Sequence, residues 1–85
     1  MLAIQALAFI AEEPARLSRF LDMTGLPAEE IRAAARERGF LAGVLEHMLN
    51  DENLLVAFAD GFGVDPAEIG RAYTSLGGRQ STDAP

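Results

Sequence analysis

Few side chains in this 85-residue sequence could form the histidine and serine pair of a nucleophilic active site. The single histidine is His47, and the serines are Ser18, Ser75 and Ser81. No serine lies in a Gly-x-Ser-x-Gly turn, the arrangement that exposes the nucleophile in α/β-hydrolases. No acid, base and nucleophile can be named as one set, so we predict that the protein is not an enzyme.

Ligands for a metal ion or a phosphate group are also scarce. His47 lies beside Glu46 and four residues before Asp51, but one histidine without any cysteine makes a poor transition-metal site. All seven basic residues are arginines. A Schiff base and a Walker-type phosphate loop both require a lysine, so the sequence excludes both chemistries. We therefore expect no cofactor, no metal and no identifiable small-molecule substrate.

The formal net charge of −6 argues against partners that carry negative charge. An acidic domain is repelled by phosphate backbones and by anionic lipid surfaces, so we disfavour nucleic acid and membranes as partners. The apolar opening MLAIQALAFIA has no basic residue before it, and it is too short to span a bilayer, which takes about 20 residues. These features predict a soluble cytoplasmic protein.

The elements that must position these side chains are predicted to be helices, because the apolar residues recur at helical spacing and strand signals are nearly absent. Proline and glycine mark most of the boundaries, and Asp65, Pro66 and Glu68 form a capping-box-like start. Six segments follow: about 2–12, Pro14 to before Gly25, Pro27 to near Gly39, about 40–49, a cap at Asn50 or Asp51 to near Gly63, and Asp65 to Gly77. We predict an all-α domain over residues 1–76 with a flexible C-terminal tail over 77–85.

Two similar segments occur in the chain: FLDMTGLPAEEI at 20–31 and FADGFGVDPAEI at 58–69. A shift of 38 residues aligns 5–34 with 43–72 without gaps, and 8 of the 30 positions are identical. Random pairing gives roughly two identities at typical compositions. We infer two pseudo-repeated three-helix units, with the largely apolar first and fourth helices packed in the middle.

The residues that the two similar segments share are predicted to form the turns between helices. Gly25 and Gly63 are placed where a helix ends in the left-handed conformation. Asp22 and Asp60 fall in the last turn of a helix, where negative charge is unfavourable. We expect each carboxylate to accept a hydrogen bond from the start of the following helix or to pair with an arginine. A functional carboxylate pair is the disfavoured alternative.

The strongest alternative function is DNA binding by a helix-turn-helix. Ala59, Gly63 and Ile69 have the spacing of bacterial helix-turn-helix segments, in which the small alanine permits close crossing and the glycine makes the turn. A recognition helix must offer donors to bases and phosphates, but the last helix has only Arg71 beside acidic residues. The third helix has Arg32, Arg36 and Arg38, which Glu29, Glu30 and Glu37 offset.

Protein interaction is the leading function. A chain this short cannot bury all five phenylalanines together with two apolar helices, so we expect an exposed apolar patch that binds another protein or a second copy. A monomer that closes fully around these residues is the alternative. Positions at which the two repeats differ pair Phe9 with His47 and Thr24 with Phe62. We place the possible interaction surface at Phe9, Phe40, His47 and Phe62.

The sequence also resembles a known family. The segments IQALAFIAEEPARLSRFLDMTGL and FLAGVLEHMLNDENLLVAFADGFGVDP are similar to a small alphaproteobacterial family described as domain of unknown function 3572. The resemblance extends to about Leu76. It implies a small helical bacterial protein, and it implies no activity and no functional residues.

Overall fold

Six α-helices and one 3₁₀ turn account for most of residues 2–77, which are the residues that the computed structural model describes. No strand occurs among them. The helices are α1 (Leu2–Ala11), α2 (Pro14–Thr24), α3 (Ile31–Ala34), α4 (Arg38–Leu49), α5 (Glu52–Phe62) and α6 (Pro66–Ser75), and the 3₁₀ turn spans Ala28–Glu30. The predicted all-α fold is confirmed. The predicted tail lies outside the described residues, except for Gly77.

Helix α4 is the centre of the fold, because it packs most extensively on α1 and α6 and also contacts α5. Its buried side chains are Leu41, Ala42, Val44, Leu45 and Met48, and α1 contributes Ala3, Ala6, Leu7, Phe9 and Ile10. The predicted packing of the first and fourth helices in the middle is thus confirmed. Across residues 2–77 no polar or charged side chain is buried.

Most helix boundaries follow local signals. Pro14 and Pro66 occupy the first position of α2 and α6, where the missing N–H costs no hydrogen bond. Asp51 caps α5 by accepting a hydrogen bond from the Leu54 N–H, and Asp65 caps α6 by accepting one from the Ala67 N–H. Only half of the predicted capping box forms, because the Glu68 carboxylate makes no hydrogen bond back to residue 65.

The third helix was predicted wrongly. The chain forms the 3₁₀ turn Ala28–Glu30 and the single helical turn Ile31–Ala34 instead of one helix from Pro27 to near Gly39. Hydrogen bonds from Arg36 to Ala33 and from Glu37 to Ala34 tighten the chain after this turn, and residue 37 is extended. Gly39 consequently lies inside α4 and does not end a helix.

The helix boundaries agree with the 38-residue shift, which carries Pro14 onto Glu52 and Thr24 onto Phe62. The third segments of the two units differ, however. Helix α6 buries Ile69 and Tyr73, whereas the shorter α3 contributes only partly buried residues to the core. The internal repeat stays a prediction.

No helix within residues 2–77 has the length and apolar character needed to cross a membrane.

Candidate functional site

A continuous groove runs between α2 and the beginning of α5. One section has a volume of about 340 Å³ and the next about 420 Å³, and both are lined by Arg19, His47, Asp51 and Asn53. The groove lies where α2 packs on α1 while α5 packs on α4 and α6, which leaves space between α2 and the beginning of α5. We call it the α2–α5 groove. Its walls are Ala15, Arg16, Arg19 and Met23 of α2 and Asn53, Leu54 and Ala57 of α5.

Arg16 is held rigidly in the α2 wall by three contacts. Its Nη2 lies 3.1 Å from the Glu13 carboxylate, and its Nη1 donates a 3.2 Å hydrogen bond to the Phe9 carbonyl oxygen. The guanidinium carbon is 4.2 Å from the centre of the Phe9 ring, which is a cation–π contact. The positively charged guanidinium of Arg16 therefore already interacts with groups of the protein itself.

Asp51 joins the two walls of the groove. Its Oδ1 accepts the hydrogen bond that caps α5, with 3.2 Å between Oδ1 and the Leu54 nitrogen. Its Oδ2 lies 3.6 Å from Nη1 of Arg19 on α2. One carboxylate therefore fixes the start of α5 and links it to α2 by an ion pair.

Asp51→Ala is expected to lower the free energy of unfolding by about 1–2 kcal/mol, because it removes a helix cap and an exposed ion pair together. Urea unfolding followed by circular dichroism measures this change. Asp51→Asn is the matched control, since asparagine caps a helix about as well as aspartate but lacks the charge. An asparagine variant as unstable as the alanine variant would show that the cap contributes little.

His47 forms the floor of the groove and is half-buried. Its ring centre is 5.1 Å from that of Phe20 in an edge-to-face arrangement. Burial lowers the pKa of the imidazole below its ordinary value of 6.5; the charge on Asp51 opposes this shift and that on Arg19 adds to it. The neutral imidazole, with one donor and one acceptor, therefore predominates at pH 7.

Within residues 2–77, neither a serine nor a metal-binding cluster of side chains lines the groove. Ser18 and Ser75 do not line it, and Ser81 lies outside the described residues. Residues 2–77 contain no group of three or more histidine or acidic side chains that could hold a metal ion. What the groove does offer is a mixture of small, apolar and hydrogen-bonding side chains along a helix.

The predicted interaction surface separates into two aromatic clusters. Phe9 and Phe62 both contact Phe58, with ring centres 5.4 and 4.6 Å away. Phe40 and His47 both contact Phe20, at 5.9 and 5.1 Å. Phe9 is only 9% exposed and belongs to the core, whereas Phe62 is 41% exposed. Phe9 and Phe62 also contact each other directly, with ring centres 6.1 Å apart, so the exposed ring of Phe62 lies against the buried ring of Phe9.

At the two repeated turns, the glycines lie as predicted, but the aspartates do not form the predicted bonds. Gly25 and Gly63 end α2 and α5 in the left-handed conformation, with φ of 72° and 66°. Asp22 and Asp60 are exposed, and neither carboxylate forms a hydrogen bond or an ion pair with any residue of 2–77. The expected carboxylate bonds are not needed, because the glycine N–H itself closes each helix by donating to the carbonyl oxygen four residues earlier.

The segment proposed as a helix-turn-helix consists of two helices joined by a short turn. Helix α5 ends at Phe62, three residues form the turn, and α6 begins at Pro66. Ala59 is buried, as a close crossing requires. The exposed charges on α6 and its cap are those of Asp65, Glu68 and Arg71, which sum to −1.

Sequence reasoning did not identify the α2–α5 groove. A signal was present, since Arg16, Arg19 and Met23 have the spacing of one helix face. The opposite wall could not be assigned in the same way, because Asn53 and Ala57 line a groove only if α5 stands beside α2. That placement depends on how both helices pack on α1 and α4.

The family described as "Protein of unknown function (DUF3572)" matches residues 1–79, and the chain belongs to this family. No curated protein and no solved structure matches the chain.

Proposed function

We propose that this member of the DUF3572 family is a non-catalytic protein-interaction module, which holds a helical segment of a partner protein in the α2–α5 groove. The observation that carries the proposal is the continuity of the groove along α2, from Ala15 to Met23. Two turns of helix separate these residues, so the groove is long enough for several anchors of a partner helix.

The lining of the groove suits a helix better than a small polar ligand. Ala15 and Ala57 are small enough to let a partner backbone approach, while Leu54 and Met23 supply apolar contacts. Met23 is 69% exposed, and a flexible thioether adapts to different apolar anchors. Arg19 and Asn53 offer hydrogen bonds at the edge of the groove, where they would set the orientation of the partner.

A photo-crosslinking amino acid placed at Ala57 tests this proposal in native cells, with the same substitution at Ala8 as the control. Both alanines are exposed on helices, but only Ala57 lines the groove. We expect a defined crosslinked partner from position 57 and none from position 8. With the purified partner, Ala57→Trp should weaken binding at least about 10-fold by filling the groove, and Ala8→Trp should leave it unchanged. Equal crosslinking from both positions, or an unaffected Ala57→Trp variant, would refute the groove as the binding site.

In a homodimer, the helix held in the groove would come from a second copy of this chain. Light scattering over a range of concentrations distinguishes it, since one chain has a mass of 9.1 kDa. A constant monomer mass would assign the groove to a different protein.

DNA association is the second candidate function, and the three-residue turn that joins α5 and α6 is the observation that favours it. The carboxylates near Arg71 argue against DNA binding, because a recognition helix gains most of its affinity from positive charge near phosphates. Titration of labelled duplex DNA at low salt tests the idea. Salt-dependent binding that is lost in Arg71→Ala would support it, and the absence of binding would remove it.

A further inference from the structure

We infer that the segment bound in the α2–α5 groove is cationic: an amphipathic helix whose apolar anchors enter the groove and whose lysine or arginine side chains reach the carboxylates beside it. This inference rests on the proposed function and adds the chemistry of the partner. Three features of the charge distribution carry it.

The acidity of the protein is concentrated in one half of the chain. Residues 2–38 contain six carboxylates and five arginines, so their charges nearly cancel. Residues 39–70 contain six carboxylates and no arginine or lysine. The carboxylates of this second group are Glu46, Asp51, Glu52, Asp60, Asp65 and Glu68. Helix α5, one wall of the groove, lies inside this acidic half.

The positive charges of the groove are already paired within the protein. Arg16 is 3.1 Å from Glu13, and Arg19 is 3.6 Å from Asp51. Three carboxylates on the two helices that form the walls have no such pairing: Asp22 on α2 and Glu52 and Asp60 on α5 are exposed, without a hydrogen bond or ion pair to any described residue. The charge left for a partner is therefore negative on both sides.

The carboxylates of α5 are spaced to match a helix. Glu52, Val56 and Asp60 follow one another at intervals of four residues, so they form one stripe on the exposed side of α5. The stripe is about 12 Å long, since a helix rises about 1.5 Å per residue. Val56 is 46% exposed between the two acids. Glu52 itself lines one section of the groove, and Val56 and Asp60 continue the stripe along the helix beside the lining residues Asn53 and Ala57. We call this stripe the rim of the groove.

Charge complementarity selects the occupant. Nucleic acid and anionic lipid would be repelled by this rim. A second copy placed symmetrically on the same surface would bring Glu52 and Asp60 of both copies together, and like charges opposite one another are unfavourable. A basic amphipathic helix satisfies the rim and the groove at the same time.

Two synthetic helical peptides of about four turns test the inference, with one leucine pattern and either lysine or glutamate at all polar positions. Fluorescence anisotropy measures their binding to the full chain. The double variant Glu52→Gln/Asp60→Asn removes two charges from the rim, and Glu29→Gln/Glu30→Gln removes two exposed charges elsewhere as the matched control. Circular dichroism establishes that both variants fold.

We expect the lysine peptide to bind the natural chain, to bind the rim variant about 3- to 10-fold more weakly, and to bind the control variant as before. Binding should also weaken as salt is raised. A glutamate peptide that binds equally well, or a control variant that weakens as much as the rim variant, would overturn the inference.

The inference and the proposed function can fail separately. A crosslinked partner at Ala57 with an unaffected rim variant would retain the groove and overturn the cationic partner. Loss of lysine-peptide binding in the rim variant with full binding in Ala57→Trp would overturn the groove and retain the charged rim as a binding surface.

Discussion

Phe58→Ala is expected to lower the free energy of unfolding by about 3–5 kcal/mol. Phe58 has no exposed surface and lies between Phe9 and Phe62, with ring centres 5.4 and 4.6 Å away. Removing its ring leaves a cavity where α5 meets the core. It also removes the edge-to-face contact with Phe9 and the tilted contact with Phe62. A domain of this length is stable by only about 4–13 kcal/mol, so this variant should be partly unfolded at moderate temperature.

Phe62→Ala is the matched control for this prediction. Phe62 belongs to the same aromatic cluster and the same helix but is 41% exposed, so its loss should cost only about 1–2 kcal/mol. Urea unfolding followed by circular dichroism compares the two. Equal losses in the two variants would contradict the central position that the packing assigns to Phe58.

Gly25→Ala/Gly63→Ala is expected to cost about 2–4 kcal/mol, or about 1–2 kcal/mol for each site. Both glycines have positive φ, at 72° and 66°, in the region that a Cβ atom makes unfavourable. Apart from the adjacent residues of the chain, no atom lies within 4 Å of the position that a new Cβ would take at either site, so the cost comes from the backbone conformation. Each single variant and the double variant are measured by the same urea unfolding.

Gly61→Ala is the control for the glycine effect, since Gly61 lies inside α5 and also has open space around its Cα. Alanine there should stabilise the protein by up to about 1 kcal/mol, because glycine weakens a helix interior. A loss of stability in Gly61→Ala similar to that in Gly63→Ala would show that the sign of φ is not the cause.

The prediction of the third helix failed in an instructive way. The sequence Ala33-Ala34-Ala35-Arg36 has high intrinsic helix propensity, and nothing in it ends a helix. The chain nevertheless leaves the helix after Ala34, so that α4 can begin at Arg38 and pack on α1. The Arg38 guanidinium also donates a 2.9 Å hydrogen bond to the Ser75 carbonyl, 37 residues away in the chain. Contacts of this range override local propensity.

The candidate site also combines features set by nearby residues with features set by contacts between distant residues. The sequence places His47 inside the predicted fourth helix, and it offers Asp51 as one of two possible caps of the fifth. Their position in one groove with Arg19 and Asn53 could not be predicted, because it depends on the packing of α2 on α1 and of α5 on α4 and α6. Phe9 was placed on the surface for a related reason: its burial depends on Phe58, which is 49 residues away in the chain.

The sequence by itself determined the helical class, the left-handed ends at Gly25 and Gly63, the cap at Asp65 and the acidity of residues 39–70. Each of these depends on the φ preference, the hydrogen bonds or the charge of a few neighbouring residues. Only the tertiary structure decided where the third helix stops, which phenylalanines are buried and where a groove stays open. Those outcomes depend on which helix faces meet, and that is set by the burial of apolar surface across the whole chain.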